Sequence, residues 1–215
     1  MRVVVTGSSY GIGKGVAQEF LRHGHEVIGM DIAEATIDDK SYTHKIVDVY
    51  KDQLPEIDGV EILVNNAGVQ NTGNDIDTNL KGTMRVTEKY AIQPDICSVV
   101  FMASASARTG AEFPEYCASK GGMVAYMKNV ASRISQWGAT SNALSPGGVL
   151  TELNQHILED ESLMEEVLAE TLLWKWASVE EIAQWTYFVA VINKSMTAQD
   201  ILIDNGEEAK FNFVW

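Results

Sequence analysis

The sequence predicts a doubly wound α/β domain, a parallel seven-stranded sheet with helices on both faces. Two observations carry this expectation. Short apolar, β-branched runs recur at Val3 to Val5, Val27 to Met30, Ile46 to Val49, Val60 to Val64, Val99 to Met102, Asn142 to Leu144 and Ile201 to Ile203, and a strand buried on both faces reads as such a run. Most of the segments between them carry helical periodicity, the alternation that builds a parallel sheet. The 215 residues suffice for one domain with a sizeable core but not for a separate substrate domain, so 1–215 is expected to form a single unit.

Taken in order, the first run leads into Gly7-Ser8-Ser9-Tyr10-Gly11-Ile12-Gly13. Missing side chains at Gly7, Gly11 and Gly13 let the backbone bend sharply and bring its N–H groups to a pyrophosphate at the positive end of a helix. The second run ends at Asp31, whose carboxylate can accept from both ribose hydroxyls and would repel a 2′-phosphate. With Tyr10 rather than Lys or Arg before Gly11, NAD is expected in preference to NADP. Asp48 and Val49, closing the third run, are placed to hold the adenine edge.

Only Tyr50 to Gly59 joins the third run to the fourth, about the minimum for a crossover with a helix. Pro55 discourages more than a single turn there. Further on, Ile76, Leu80, Met84, Thr87 and Ala91 share one helical face between Asp75 and Ile92, as do Met123, Met127, Val130, Ile134 and Trp137. Both segments are expected to be long core helices. Ser178 and Glu181 form a capping box ahead of Ile182, Trp185, Phe188 and Val189.

Composition narrows the function. Lys and Arg total 16 against 30 Asp and Glu, a formal charge of -14 that opposes nucleic acid and acidic membranes as partners. No targeting or membrane-spanning segment is recognised, so a cytoplasmic location is expected. Cys97 and Cys117 fit free thiols in a reducing compartment, and His23, His25, His44 and His156 show no zinc spacing, so no metal site is expected. Tyr116 and Lys120 lie four residues apart, on one face of a helix. A phenol ionises near pH ~10, and a neighbouring ammonium together with an oxidised nicotinamide is expected to favour the phenolate that an acid/base role needs.

Thr6-Gly7-Ser8-Ser9-Tyr10-Gly11-Ile12-Gly13, Asn65-Asn66-Ala67-Gly68 and Tyr116-Cys117-Ala118-Ser119-Lys120 occur in that order. Ser145-Pro146-Gly147-Gly148-Val149, Thr151 and Asp204-Asn205-Gly206 follow. From about Val3 to Gly206 the chain resembles the short-chain dehydrogenase/reductase family. The resemblance implies a Rossmann fold and hydride transfer between NAD and a small alcohol or ketone. It also implies cofactor contacts at Gly7, Ser9, Tyr10, Gly11, Ile12, Gly13, Asn66, Ala67, Gly68, Pro146, Gly147, Val149 and Thr151, the last to the carboxamide.

The implied catalytic set is Asn79, Ser104, Tyr116 and Lys120. Ser104 would donate to the substrate oxygen, Lys120 would also bind the nicotinamide ribose, and Asn79 would hold a water linking the lysine to solvent. The serine-to-tyrosine separation is one residue shorter than the family's, and Ser106 competes with Ser104. Gly110 keeps the family's spacing to Ser104, which favours it. Asn66 to Asn79 is also shorter than usual.

Leu150 to Trp176 looks like the family's substrate-covering helices, with Leu153, Ile157, Leu163, Val167, Leu172, Trp174 and Trp176 supplying apolar surface. Glu152, Glu159, Asp160, Glu161, Glu165, Glu166 and Glu170 make that cover acidic, which favours a neutral substrate. Two rivals stand beside this reading, a non-catalytic NAD(H) sensor and a dehydratase or epimerase with tightly held NAD. A homodimer or homotetramer built on the two long helices is implied as well. The tail from Lys210, with Phe211, Phe213, Val214 and Trp215, is expected to pack on a neighbouring subunit or on the chain's own lid.

Overall fold

A computed structural model describes residues 1–111 and 113–210; the aromatic end of the tail lies outside the described residues. The strands are β1 (Arg2–Thr6), β2 (Glu26–Asp31), β3 (Tyr42–Ile46), β4 (Ile62–Asn65), β5 (Ser98–Met102), β6 (Thr140–Pro146) and β7 (Asp200–Ile203). All pair in parallel, in the order β3-β2-β1-β4-β5-β6-β7. Strand order reverses between β1 and β4, and a crevice opens at their carboxyl ends where a parallel sheet of this kind binds its ligand.

The helices are α1 (Gly11–Arg22), α2 (Thr83–Tyr90), α3 (Ser106–Thr109), α4 (Pro114–Ile134), α5 (Gln155–Leu158), α6 (Glu161–Ala169) and α7 (Val179–Tyr187). A wider π-helical stretch, Ile76–Gly82, runs into α2. Alternation along β1 divides the core into two layers. Val4, with Leu63 and Phe101, packs against Val86 and Tyr90 of α2 and Met123, Met127 and Val130 of α4. Val3 and Val5, with Ile62 and Val100, pack on the other face against Val16, Ala17 and Phe20 of α1 and Ile182 and Ala183 of α7. The Ser178 capping box is present in both directions.

Two expectations change and one stands. The third strand is Tyr42–Ile46 rather than Ile46 to Val49. It is an edge strand whose polar residues face water, whereas Val47 and Val49 are buried because the chain leaves the sheet there and turns beneath it. No helix joins β3 to β4 among the described residues, in keeping with so short a connection. Met84 lies on a helix as expected but is exposed, since it points off the buried stripe of that helix.

Candidate active site

The cofactor end is assembled around Thr6 and Gly7 at the end of β1. Thr6 Oγ1 accepts from the backbone N–H groups of Asn66 and Ala67, both at 3.0 Å, and Asn66 Nδ2 donates to the carbonyls of Thr6 and Gly7 at 3.0 and 3.1 Å. These bonds lay Asn66-Ala67-Gly68 along the floor of the crevice. A Cβ on Gly13 would lie 1.9 Å from the Gly7 carbonyl oxygen and 2.4 Å from Asn66 Nδ2. Only glycine lets the start of α1 sit this close to the first strand. The resulting cradle, with its N–H groups at a helix start, fits the pyrophosphate of a dinucleotide.

Around the cradle, Ser9 is buried and Tyr10 exposed. Asp31 accepts from the N–H groups of Ser9 and Ala33, each at 3.0 Å, so its carboxylate is held in a fixed direction at the end of β2. Sequence reasoning missed the support behind it. Tyr42 Oη lies 3.0 Å from the buried Ser8 Oγ and 2.9 Å from His44 Nδ1, while His44 Nε2 lies 2.8 Å from the Ala33 carbonyl oxygen. Nothing in the spacing of Ser8, Tyr42 and His44 announces this chain, because it forms between strands.

Asp48 and Val49 are held by the turn after β3. Asp48 Oδ1 accepts from the N–H groups of Tyr50 and Lys51, and Oδ2 lies 3.4 Å from Lys51 Nζ. Burial pushes this carboxyl up, but the backbone donors and Lys51 outweigh it and hold it below the usual range. The Val49 carbonyl accepts from Arg85 at 2.9 Å. Pro146 ends β6, Val149 bridges to Ala177, and an added Gly11 Cβ would lie 3.5 Å from Thr151 Cγ2. The turn after β6 thus reaches back to the glycine-rich turn.

At the chemical end, Ser104 follows β5 and α4 carries Tyr116 and Lys120 on one face. Lys120 Nζ donates to the Met102 carbonyl at 2.7 Å and lies 5.6 Å from the centre of the Tyr116 ring. The Ser104 hydroxyl stands near enough to the Tyr116 phenol to favour its ionised form, and Ser104 Oγ accepts from Ser106 N–H at 3.2 Å. Ser106 begins α3, and Ser104 is the serine that reaches the ring. Asn79 is drawn to the same place. Its Oδ1 accepts from Val69 N–H at 2.8 Å, and its Nδ2 donates to the Val69 carbonyl at 2.8 Å and to Ser119 Oγ at 3.0 Å. Both amide protons are therefore spent on bracing the loop after Gly68 against α4.

In the protein alone, burial governs the charge of both groups. Burial raises the Tyr116 phenol above its ordinary value; the Ser104 hydroxyl opposes the rise, and Cys117 and Asp75 add to it. Burial also lowers Lys120, from 10.5 to about 8, with Asp75 pulling the other way. Desolvation penalises the charged form of each group. Asp75 itself escaped sequence reasoning. Fully buried, it accepts from Asn71 N–H at 2.8 Å and Thr72 N–H at 2.9 Å, closing the shortened loop and setting a negative charge behind both groups.

The comparisons with known proteins agree with this fold. A family profile described as enoyl-(acyl carrier protein) reductase matches residues 7–208. A 3-oxoacyl-[acyl-carrier-protein] reductase, FabG, of Chlamydia pneumoniae is 28% identical over 240 aligned residues, covering 95% of this chain and 96% of its own. The oxidoreductase UcpA of Salmonella typhimurium is 30% identical over 245, covering 94% and 92%. Among solved structures, a 4-hydroxyisoleucine dehydrogenase mutant complexed with NADH and succinate superposes with a TM-score of 0.88 at 22% identity, over 99% of this chain and 100% of that one. A putative 2-deoxy-D-gluconate 3-dehydrogenase from Agrobacterium tumefaciens with bound NADP gives 0.84 at 23% identity, over 97% and 96%.

The chain belongs to the short-chain dehydrogenase/reductase family. It is an oxidoreductase acting on a CH–OH or C=O group of a small molecule. Among the described residues no helix is long and apolar enough to cross a membrane.

Two tests follow from the geometry. Gly13→Ala is expected to lower unfolding free energy by about 1–3 kcal/mol through overpacking and to abolish cofactor binding by fluorescence titration; wild-type stability and affinity would refute the cradle. Lys120→Met tests the buried ammonium. Below pH 8 folded and unfolded chains both hold this proton, and the burial penalty opposes folding in full. Between about 8 and 10.5 only the unfolded chain keeps it, so stability rises with pH across that window. Urea melts at pH 7 should show Lys120→Met more stable than wild type by roughly 1–3 kcal/mol, with a flatter rise toward alkaline pH. A loss of stability at pH 7 would contradict this.

Proposed function

We propose that the protein is an NAD-dependent oxidoreductase interconverting a small neutral alcohol and its carbonyl compound, with Tyr116 as the acid/base. The observation that carries this is the meeting of Ser104, Lys120 and the Asn79 brace around Tyr116, beside the glycine cradle at the sheet's switch point. Bound in the cradle, the nicotinamide would supply the carbon that gives or takes the hydride. In the oxidation, the alcohol carbon loses a hydride and its oxygen loses a proton to Tyr116; reduction reverses both transfers. Ser104 holds the substrate oxygen by hydrogen bond, and Lys120 supplies positive charge and binds the nicotinamide ribose.

Asp31 supports NAD over NADP, since its oriented carboxylate would meet a 2′-phosphate with like charge. Gly7, Ser9, Tyr10, Gly11, Ile12, Gly13, Asn66, Ala67, Gly68, Pro146, Gly147, Val149 and Thr151 complete the proposed cofactor surface, with Asp48 and Val49 beside the adenine. A formal charge of -14 and the acidic cover favour a neutral substrate over an acidic carrier protein of the kind named for the reductase relatives. The working form proposed is a cytoplasmic homodimer or homotetramer of single-domain chains.

The raised phenol makes the resting site a proton donor. Reduction is expected to run at neutral pH and fall at alkaline pH, while oxidation climbs as pH rises. Spectrophotometric assays of alcohols and ketones with each cofactor test the proposal. Tyr116→Phe should lose about 10²–10⁴-fold in kcat, and wild type should prefer NAD. Equal rates for the two proteins would remove Tyr116 from the chemistry; turnover with NADP alone would remove Asp31 from cofactor selection.

A further inference from the structure

The segment 150–176 leaves and rejoins the fold at a narrow neck. Val149 pairs with Ala177, Leu150 N–H donates to the Ala177 carbonyl and Ala177 N–H to the Gly148 carbonyl, both at 3.0 Å. Within the short helix Glu152–Asn154, α5 and α6 no residue is buried. A segment with no core of its own is held by its few anchors. Most of the anchors beyond the neck come from the C-terminal segment after β7.

That segment is itself organised by Asp204, which is buried and accepts from the N–H groups of Gly206 at 2.9 Å and Glu208 at 2.8 Å. Asn205 and Gly206 both take positive φ, and the turn they make presents the Asn205 carbonyl to Leu173 N–H at 3.1 Å. Two residues further, Glu208 Oε2 accepts from Arg108 Nε at 2.9 Å, on α3 in the loop that begins with Ser104. Arg108 is tied on its other side to Asp200, 3.4 Å away, which accepts from Ser145 Oγ at 2.5 Å. Lys210 then reaches the other wall. Its Nζ bonds to the Ala169 carbonyl at the end of α6, lies 3.5 Å from the Thr171 carbonyl oxygen and sits 5.5 Å from the centre of the Trp174 ring.

An ammonium at the carbonyl end of α6 satisfies groups the helix leaves unpaired and complements its dipole. Glu208 and Lys210 are separated by only one residue, so the chain between them spans roughly 7 Å at most. Whatever else moves, the loop after Ser104 and the far end of α6 are tied to one short length of backbone.

We propose that Asp204 to Lys210 is a strap that fixes the width of the substrate mouth, with Glu208 and Lys210 as positioning residues for the serine loop and the lid. The proposal rests on the oxidoreductase reading for its kinetic consequence but not for its structural one. Lys210→Ala should leave the cradle untouched and let the lid swing. Hydrogen exchange of the full chain is expected to show amides of 161–171 exchanging roughly tenfold faster in Lys210→Ala than in wild type, with Lys210→Arg restoring protection. Glu208→Gln should loosen 105–110 in the same way.

In the assays above, Lys210→Ala should raise KM for the carbonyl substrate about 5–20-fold with little change in kcat or in NADH affinity by fluorescence. Unchanged exchange over 161–171 in Lys210→Ala overturns the strap, whatever the activity. Faster exchange with an unchanged KM overturns its role in the mouth. A wild-type chain without turnover on any tested alcohol or ketone counts against the proposed reaction, and the exchange comparison then decides the strap alone.

Discussion

Burial of a phenol and an ammonium side by side is the constraint on which the site depends. Lys120 projects from α4 into the buried interior with Tyr116 half-buried beside it, and each is pushed toward its neutral form. The fold accepts this because the surroundings are rigid. Met102 offers its carbonyl to Lys120, Ser104 stands beside the phenol, and Asn79 fixes α4 through Ser119. Asp75 places a buried negative charge behind both groups and closes the loop that the shortened connection leaves. Proton transfer by Tyr116 in the oxidative direction then requires further positive charge in the cleft, which ties the proposed chemistry to occupation of the cradle.

The sheet puts that cradle where it is needed. β1 and β4 are neighbours in a sheet whose order reverses between them, so Gly7 and Asn66 meet at their ends through Thr6. β5 comes next and leads into Ser104, and α4 packs against β5 and β6 with Lys120 bonded to the Met102 carbonyl at the end of β5. The acid/base group and the glycine-rich turn are thereby brought to the same edge of the sheet by topology, with the end of β4 between them. Packing on both faces, with Val4 on one side and Val3 and Val5 on the other, makes those ends unyielding.

Features governed by local sequence were legible. Val3 to Val5 could only be a doubly buried strand, Gly13 announced a close approach, Ser178 and Glu181 a helix start, and the four-residue spacing of Tyr116 and Lys120 a shared face. What escaped depends on contacts between distant segments. Val47 and Val49 carry the signature of a strand yet are buried in a turn, because apolar content records burial and not pairing. Met84 reads as core on periodicity but faces outward, since a helical face fixes direction only once its neighbours are known. The charge states of Tyr116 and Lys120 follow the sum of burial and neighbours, to which Asp75 contributes with no motif of its own. The Ser8–Tyr42–His44 chain and the Glu208–Lys210 strap join residues that no spacing rule connects.

The central claim is that burial overrides the ammonium until the cleft gains positive charge. Ultraviolet difference titration of wild type against Tyr116→Phe, with and without saturating oxidised NAD, isolates this phenol from the other tyrosines. The expected result is ionisation of Tyr116 above its ordinary value of 10.0 in the free protein, falling by at least roughly one pH unit when NAD is bound. Ionisation below that value in the free protein, or an unchanged midpoint on binding, would contradict the account.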